Sequence, residues 1–587
     1  MNEIILKGLQ EGVLHSFDQI DFKANTPFTF DLETTGLEDN CQILLIGIRY
    51  EKQDYLIPYE LLDREVFEDM LVNCSYIIIH NAMFDLNLLN IAGFKFTENI
   101  FCTQIASWVE DENQSHKLID LAKNKFKVDI TEYKNFKNPD IIELAQHCKR
   151  QLAVTERLFD FYKEKLPHDK LKFEFNLIPV LLSAQRYGMY VDKNKLEVLD
   201  KEYKEEVIRL EEKALEVCPN KIDINSPAQL SKMFFEVMGL TPVKKTKKGN
   251  KNSTDTEVLH TLKNQGVELA IRILDYREKV KTLNTFITPV KERVGEDSRI
   301  HPHFNITGTR VGRLSAERPN TQQITKKEDR IREMYIAPEG HKLLVIDYSQ
   351  MHLRILAHMA QEKVFLKAFS ENGDIHKLTA KLTFGKEDIN ESERDFAKIL
   401  NFGIIYGLST KGLVRELRPY RPELTEEQLL PEAERIYNNF KESYKNVFYF
   451  KKKVLECFHK NNYVITLFNR KRHLEWLPNV KDGYKAFLDR EAFNSVIVGS
   501  EADIAKNALI KLYPLVKENK IHIINQVHDE IVIEVEEALL NDELLKEIKN
   551  KVDYPLDDIN ICAEIKVCSN WAEKKNKELL WEESNEI

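Results

Sequence analysis

The chain's 587 residues amount to several ordinary domains, so roughly three to five structural units are expected. With 43% hydrophobic and 31% charged residues, and only 20 glycines and 18 prolines, the composition excludes collagen-like, low-complexity and largely disordered classes. The net charge of −10 does not exclude nucleic acid, because 85 lysines and arginines can be segregated into one cleft.

The first residues, MNEIILKGLQEGVLH, lack a basic start followed by a long apolar core. No stretch approaches the roughly 20 apolar residues of a membrane span. Eight cysteines without a CxxC pair read as reduced cytosolic thiols with no zinc site. From Pro27 to Phe159, short β-type runs (FTFDLE, CQILLIGIRY, YIIIH) alternate with helical patterns such as DLNLLNIAGF, which predicts an α/β domain ending near Lys165. Within FTFDLETTGL, Asp31 and Glu33 fall on one strand face, and HNAMFDLNLL adds Asn81 and Asp85. Taken alone, such acids are simply an exposed polar edge.

Residues 166–295 are mostly helical in pattern and carry the basic loop KKTKKGNKNS with Lys244, Lys245, Lys247 and Lys248. They read as an extended arm. Beyond residue 296, the β-type runs LLVIDY, HIINQV and EIVIEV flank a helical block over 363–465. This predicts a sheet domain in two parts, 296–362 and 466–587, with a helical insertion between them. The strand LLVIDY ends on Asp347, and HIINQVHDEIVIEV is a hairpin with His528, Asp529 and Glu530 at its tip. Either acid alone is most simply a solvated turn former. In RDFAKILNFGIIYG, however, Arg394, Lys398, Phe402 and Tyr406 recur every four residues and share one helix face. Two cations and two aromatics on one face suit a triphosphate and a base; the structural alternative is an amphipathic helix with snorkelling cations.

DYSQMHLR, RDFAKILNFGIIYG and QVHDEIVIEV resemble motifs A, B and C of the family A DNA polymerases. VGRLSAERPNTQQI, GDIHKLTA and INSPAQLSKMFFEVMGL also resemble segments of that family. The resemblance covers most of residues 175–570, in order. It implies an α/β multidomain fold with an α+β right hand of thumb (166–295), palm (296–362 and 466–587) and fingers (363–465). The implied activity is template-directed DNA synthesis from dNTPs on primer-template DNA, by a nucleotidyltransferase acting in replication or repair. Asp347, Asp529 and the Tyr348 carbonyl would hold two Mg2+ ions, replaceable by Mn2+, as phosphoryl transfer requires, with Glu530 nearby. Arg394, Lys398 and His376 would grip the triphosphate, and Lys398 would protonate pyrophosphate. Phe402 and Tyr406 would face the base, and Gln350 and His352 would lie near the nucleotide. Arg313, Asn320, Gln322, Gln526, His528, Arg490 and Asn494 would contact primer or template, and the basic thumb loop would bind phosphates.

The order of Asp31, Glu33, Asn81 and Asp85 resembles the DEDD-type 3′-5′ exonucleases, whose domain is ribonuclease H-like. This implies an exonuclease-like domain over 1–165 with Asp31, Glu33 and Asp85 as metal ligands. Three departures stand out. Motif A has His352 where the family has a glutamate beneath the nucleotide sugar. Val498 replaces a glutamine near the template. In the third exonuclease motif, anchored on Thr155, His147 and Gln151 stand where tyrosine and aspartate are expected, which predicts weak or absent proofreading. No 5′-nuclease domain is expected, and the protein is expected to be a soluble cytoplasmic monomer of bacterial or viral origin, or a processed organellar form. A single-subunit RNA polymerase and a non-catalytic DNA-binding remnant are the competing readings.

Overall fold

The structure is a computed structural model that describes residues 3–36, 41–131, 133, 140–246, 249, 251–324, 329–371, 373–405, 407–421, 424–476, 482–573 and 580–581. Five strands form the first sheet: β1 (Phe28–Thr34), β2 (Ile43–Tyr50), β3 (Gln53–Pro58), β4 (Ile77–Ile79) and β5 (Ile100–Cys102), in the order β3-β2-β1-β4-β5. β1 pairs antiparallel with β2 and parallel with β4. It is buried along almost its whole length, as a central strand covered on both faces must be. α1 (Ala82–Ile91) follows β4, with Asn81 in the left-handed region as its N-cap. α2 (Ile141–Lys165) starts where the Asp140 carboxylate accepts from the amides of Ile142 and Glu143 and lies across β1 and β2. Gly47 permits that approach: a Cβ there would fall 2.2 Å from Cys148 Sγ.

Two further helices, His168–Phe175 and α3 (Leu177–Tyr187), precede a short pairing of Met189–Tyr190 with Arg299–Ile300. That pairing marks where an arm leaves the body and returns. The arm contains α4 (Lys193–Glu216) and α5 (Glu268–Thr282) and has its own core around Ile224, Leu230, Phe234, Leu259 and Ile273. The second sheet comprises β6 (His341–Tyr348), β7 (His522–Val527), β8 (Glu530–Glu536), β9 (Ala563–Cys568) and β10 (Leu580–Trp581), in the order β7-β8-β6-β9-β10. Between β6 and β7 lie α6 (Met351–Ala360), the helical block containing α7 (Ile375–Phe384) and α8 (Glu391–Ile405), and the 36-residue α9 (Asp482–Lys517). Sheet and helical insertion follow the order expected from the sequence. One correction concerns residues 166–191, expected as part of the arm. The apolar α3 packs on α1, β7 and α9, joining the two bodies, because its Leu177, Ile178, Val180 and Leu181 are buried in their shared core.

Charge completes that junction. Lys506 on α9 and Glu174 form an ion pair at 2.8 Å with both side chains 2% exposed or less. Arg472 binds Glu112 at 2.8 Å, and Glu112 also meets His473 at 3.0 Å. Trp108 donates from Nε1 to the Thr309 carbonyl at 3.2 Å. Among the described residues, no helix is long and apolar enough to cross a membrane. Because removing one partner strands the other in the core, Lys506→Ala is expected to cost about 3–5 kcal/mol in chemical denaturation. Lys517→Ala, which loses a surface pair with Glu98 and a contact over the Tyr513 ring, should cost under about 1 kcal/mol. Equal losses would contradict this account of the junction.

Candidate active site

The second sheet brings its two acids together by backbone pairing. β6 and β8 run antiparallel with Asp347 opposite Glu530. β7 turns into β8 through His528 and Asp529, with His528 at φ 56, the left-handed geometry that two-residue hairpins use. The Tyr348 N–H donates to the Asp529 carbonyl at 3.1 Å, so the half-buried Asp347 and Asp529 stand on adjoining strand ends. The hairpin tip is braced from behind: the Gln526 amide donates to the His528 carbonyl, and Gln322 Nε2 donates to the Gln526 carbonyl at 2.8 Å. Asn320 caps the turn carrying Gln322.

Glu530 departs from expectation. Its carboxylate is 2% exposed and accepts from Trp571 Nε1 at 2.6 Å and Arg332 Nη1 at 3.2 Å. These two contacts commit it to bracing the sheet. His352 Nε2 contacts the carboxylate of Glu501 on α9, and Arg313 reaches the same carboxylate with Nη2 at 2.6 Å and Nε at 3.2 Å. Burial raises the Glu501 carboxyl, but His352 and Arg313 outweigh it and hold the group at about 2. Tyr406, expected to face the base, lies outside the described residues.

Across a cavity of 980 Å³ lined by Ser349, Gln350, Arg354, Asp374, Arg394 and Asn560 stands α8, with Arg394, Lys398 and Phe402 on one face. Arg394 Nε lies 2.7 Å from Asp374, the carboxylate that also caps α7. Lys398 is exposed and Phe402 half-buried. His376, expected to grip the triphosphate, is buried and accepts at Nδ1 from Asn401 at 3.0 Å. Burial lowers its pKa to about 4, so the ring is neutral and its proton sits on Nε2.

On α9, Arg490, Asn494, Val498 and Glu501 form one stripe. The Arg490 stem packs where a Cβ on Gly407 would lie 2.4 Å from its Cγ, and Gly407 has φ +82. In the arm's basic loop, Lys244 is paired with Asp255 at 3.0 Å and with Glu257, while Lys245 is exposed. Lys247 and Lys248 lie outside the described residues. Lys244 therefore offers less free charge to a phosphate than its sequence context implies.

The first sheet carries a second acidic cluster. Asp31 and Glu33 share a face of β1, and Asp85 of α1 is buried beside them, all three interacting. From α2, Gln151 Nε2 donates to Glu33 at 3.1 Å and Cys148 Sγ to Asp31 at 3.6 Å. His147 lies off this cluster, beside Tyr133. Burial pushes Asp31 up to about 7; burial and then Asp31 push Glu33 up to about 9, and burial holds Asp85 well above the usual range. Ligand atoms of Asp31, Glu33 and Cys148 lie within 4.8 Å of one another, close enough to hold a metal ion.

Residues 193–573 match the family model for DNA polymerase family A. The chain belongs to DNA polymerase family A. Residues 19–150 of this polymerase match the 3′-5′ exonuclease model. It is 33% identical to DNA polymerase I of Caldicellulosiruptor bescii over 97% of this chain and 67% of that protein. It is also 33% identical to the thermostable DNA polymerase I of Thermus aquaticus over 74% of this chain and 52% of that protein. The chain thus spans between half and two thirds of these relatives' lengths. Its fold matches the POL domain of Pol1 from M. smegmatis, solved in complex with DNA primer-template and dNTP, with a TM-score of 0.79 at 24% identity, covering 97% of this chain and 98% of that one.

Sequence reading of the polymerase missed Glu501 and Cys148. Each left a faint local signal. Glu501 is an acid inside the apolar run VIVGSEADIA, and Cys148 faces the glycine of ILLIGIRY. The crowding of Asp31, Glu33 and Asp85 generates a prediction. In chelator, Asp85→Asn should raise the melting temperature of the protein, since the amide removes an acid that burial and its neighbours Asp31 and Glu33 hold well above the usual carboxylate range. The same variant should lose most of the melting-temperature rise that divalent cations give the parent. A variant less stable than the parent in chelator would refute the crowding.

Proposed function

We propose that this chain extends a primer 3′ end on a DNA template by adding dNTPs, using two Mg2+ ions held by Asp347, Asp529 and the Tyr348 carbonyl. The observation that carries this reading is the Tyr348 N–H to Asp529 carbonyl bond, which aligns the two carboxylates at the sheet edge. Hard oxygen donors of this kind suit Mg2+. When bound, the metals supply acidity to the primer hydroxyl and neutralise the triphosphate charge.

The chain's own residues do the rest. Arg394 exchanges Asp374 for triphosphate oxygens as the nucleotide enters, and Asp374 keeps the guanidinium aimed until then. Lys398 Nζ adds a second charge and carries the proton for departing pyrophosphate. His376, being neutral, contributes its Nε2–H as a hydrogen-bond donor and no charge. Phe402 packs on the nucleotide. Gln350 lies beside the nucleotide, while Arg313, Gln526, His528, Arg490 and Asn494 line the duplex. Minor-groove acceptors barely differ between base pairs, so such contacts test pair geometry without reading sequence. Asp347 and Asp529 are the catalytic carboxylates, and Glu530 is a buried brace.

In primer extension the parent should incorporate dNTPs, and Asp529→Asn should lose about a thousandfold or more in rate. Retained activity in that variant would overturn the assignment, and preferential use of rNTPs would make the enzyme an RNA polymerase. The exonuclease-like site is read as deficient. Gln151 offers Glu33 a neutral amide where the third exonuclease motif would bring a further anionic ligand beside Asp31, Glu33 and Asp85, and metal affinity follows ligand charge. A 3′-labelled single strand should therefore survive incubation with Mg2+; rapid shortening that Asp31→Ala abolishes would contradict this.

A further inference from the structure

Glu501 sits mid-helix among the buried Val496, Ile497, Val498 and Ala502 and is itself 1% exposed. A carboxylate removed from water at such a position needs dedicated partners. It finds them on two other segments: Arg313 from the loop before β6 and His352 from the first turn of α6. Both partners converge on Oε2, so one oxygen ties Glu501 to two other segments, 188 and 149 residues before it in the chain. The knot lies at the polymerase centre. His352 follows Asp347 by five residues, and the charges of Arg313, Glu501 and His352 all act on His528 at the hairpin tip.

Arg313 alone satisfies Glu501 through two donors, so the His352 contact is additional to what burial of this acid requires. Its chemical consequence falls on the imidazole. A ring that directs Nε2–H at a fixed carboxylate has its orientation and tautomer set, leaving Nδ1 as its remaining polar atom. Position 352 is where an acid was expected beneath the nucleotide sugar. Here the acid stands one residue deeper, behind an aromatic ring of similar bulk.

We propose that Glu501 is a positioning residue for sugar discrimination: it locks the His352 ring at the floor of the nucleotide site and so maintains the selection of dNTP over rNTP. This rests on the polymerase reading above. Single-nucleotide incorporation of a dNTP and its rNTP counterpart on one primer-template tests it, with the parent, Glu501→Gln, His352→Glu and the double variant His352→Glu/Glu501→Ala. Glu501→Gln keeps the volume and a hydrogen bond to Arg313 but weakens the hold on His352. It should lower the dNTP-over-rNTP ratio of kcat/KM by about tenfold, within the range of couplings between contacting residues. A purely structural Glu501 would lower both incorporation rates together and leave the ratio unchanged, and that result overturns the proposal.

Should Glu501→Gln fail to fold, the paired variants decide. His352→Glu sets two carboxylates against each other and should lose dNTP incorporation. Adding Glu501→Ala should recover at least about tenfold of that loss; no recovery overturns the proposal. Absence of dNTP incorporation by the parent would instead refute the polymerase reading itself.

Discussion

A carboxylate taken out of water must be met by a cation, a proton or several hydrogen-bond donors, and the two acidic sites of this molecule stand in different relations to that demand. In the polymerase half, buried glutamates have designated cations: Glu501 with Arg313, Glu530 with Arg332, Glu534 with Arg299 at 2.7 Å. In the exonuclease-like body, Asp31, Glu33 and Asp85 crowd together, and the groups that reach them from α2 are an amide and a thiol. Neither brings positive charge. Protonation, which the raised pKa values describe, or a metal ion is what remains to balance them.

The same demand explains how the two bodies are joined. Glu112 and Glu174 belong to the exonuclease-like side of the junction, and their partners Arg472, His473 and Lys506 belong to the polymerase side. Trp108 lies under both Arg470 and Lys506, 5.6 and 5.0 Å from its ring centroid. Removing the first body would leave these cations and the apolar face of α3 without their partners. The residues that make this junction are distinct from the acidic cluster and from Gln151 beside it, so the domain's packing role does not depend on position 151.

What the sequence disclosed was what local periodicity encodes. The alternation in FTFDLE put Asp31 and Glu33 on one face, and the four-residue spacing put Arg394, Lys398 and Phe402 on another. Contacts between distant segments were not encoded in that way. Nothing in the motif containing His352 signals an acid 149 residues later, and nothing around Asp31 signals a thiol 117 residues away. Glu530 misled because it directly follows Asp529, and only its contacts with Trp571 and Arg332 reveal that its carboxylate is committed to the core. His376 misled for another reason: histidine's charge depends on burial, which no motif states. The arm's boundary was misplaced because α3 reads as a helix of either neighbour until its apolar face is seen against α1 and β7.

These errors share a direction that bears on chemistry. Glu530, His376 and Lys244 were each credited with a free charge, and each proves to be neutral or committed to a neighbour. The charges left to meet a nucleotide or metal are correspondingly fewer and better defined. With Glu501 and Glu530 compensated by their own cations, the field at the sheet edge is set mainly by Asp347 and Asp529, and across the cavity by Arg394 and Lys398. A site whose structural acids are internally balanced can bind cations at two carboxylates without drawing them to the others. The buried ion pairs therefore do more than hold the fold: they keep the structural acids from competing for cations with Asp347 and Asp529, the carboxylates proposed to hold them.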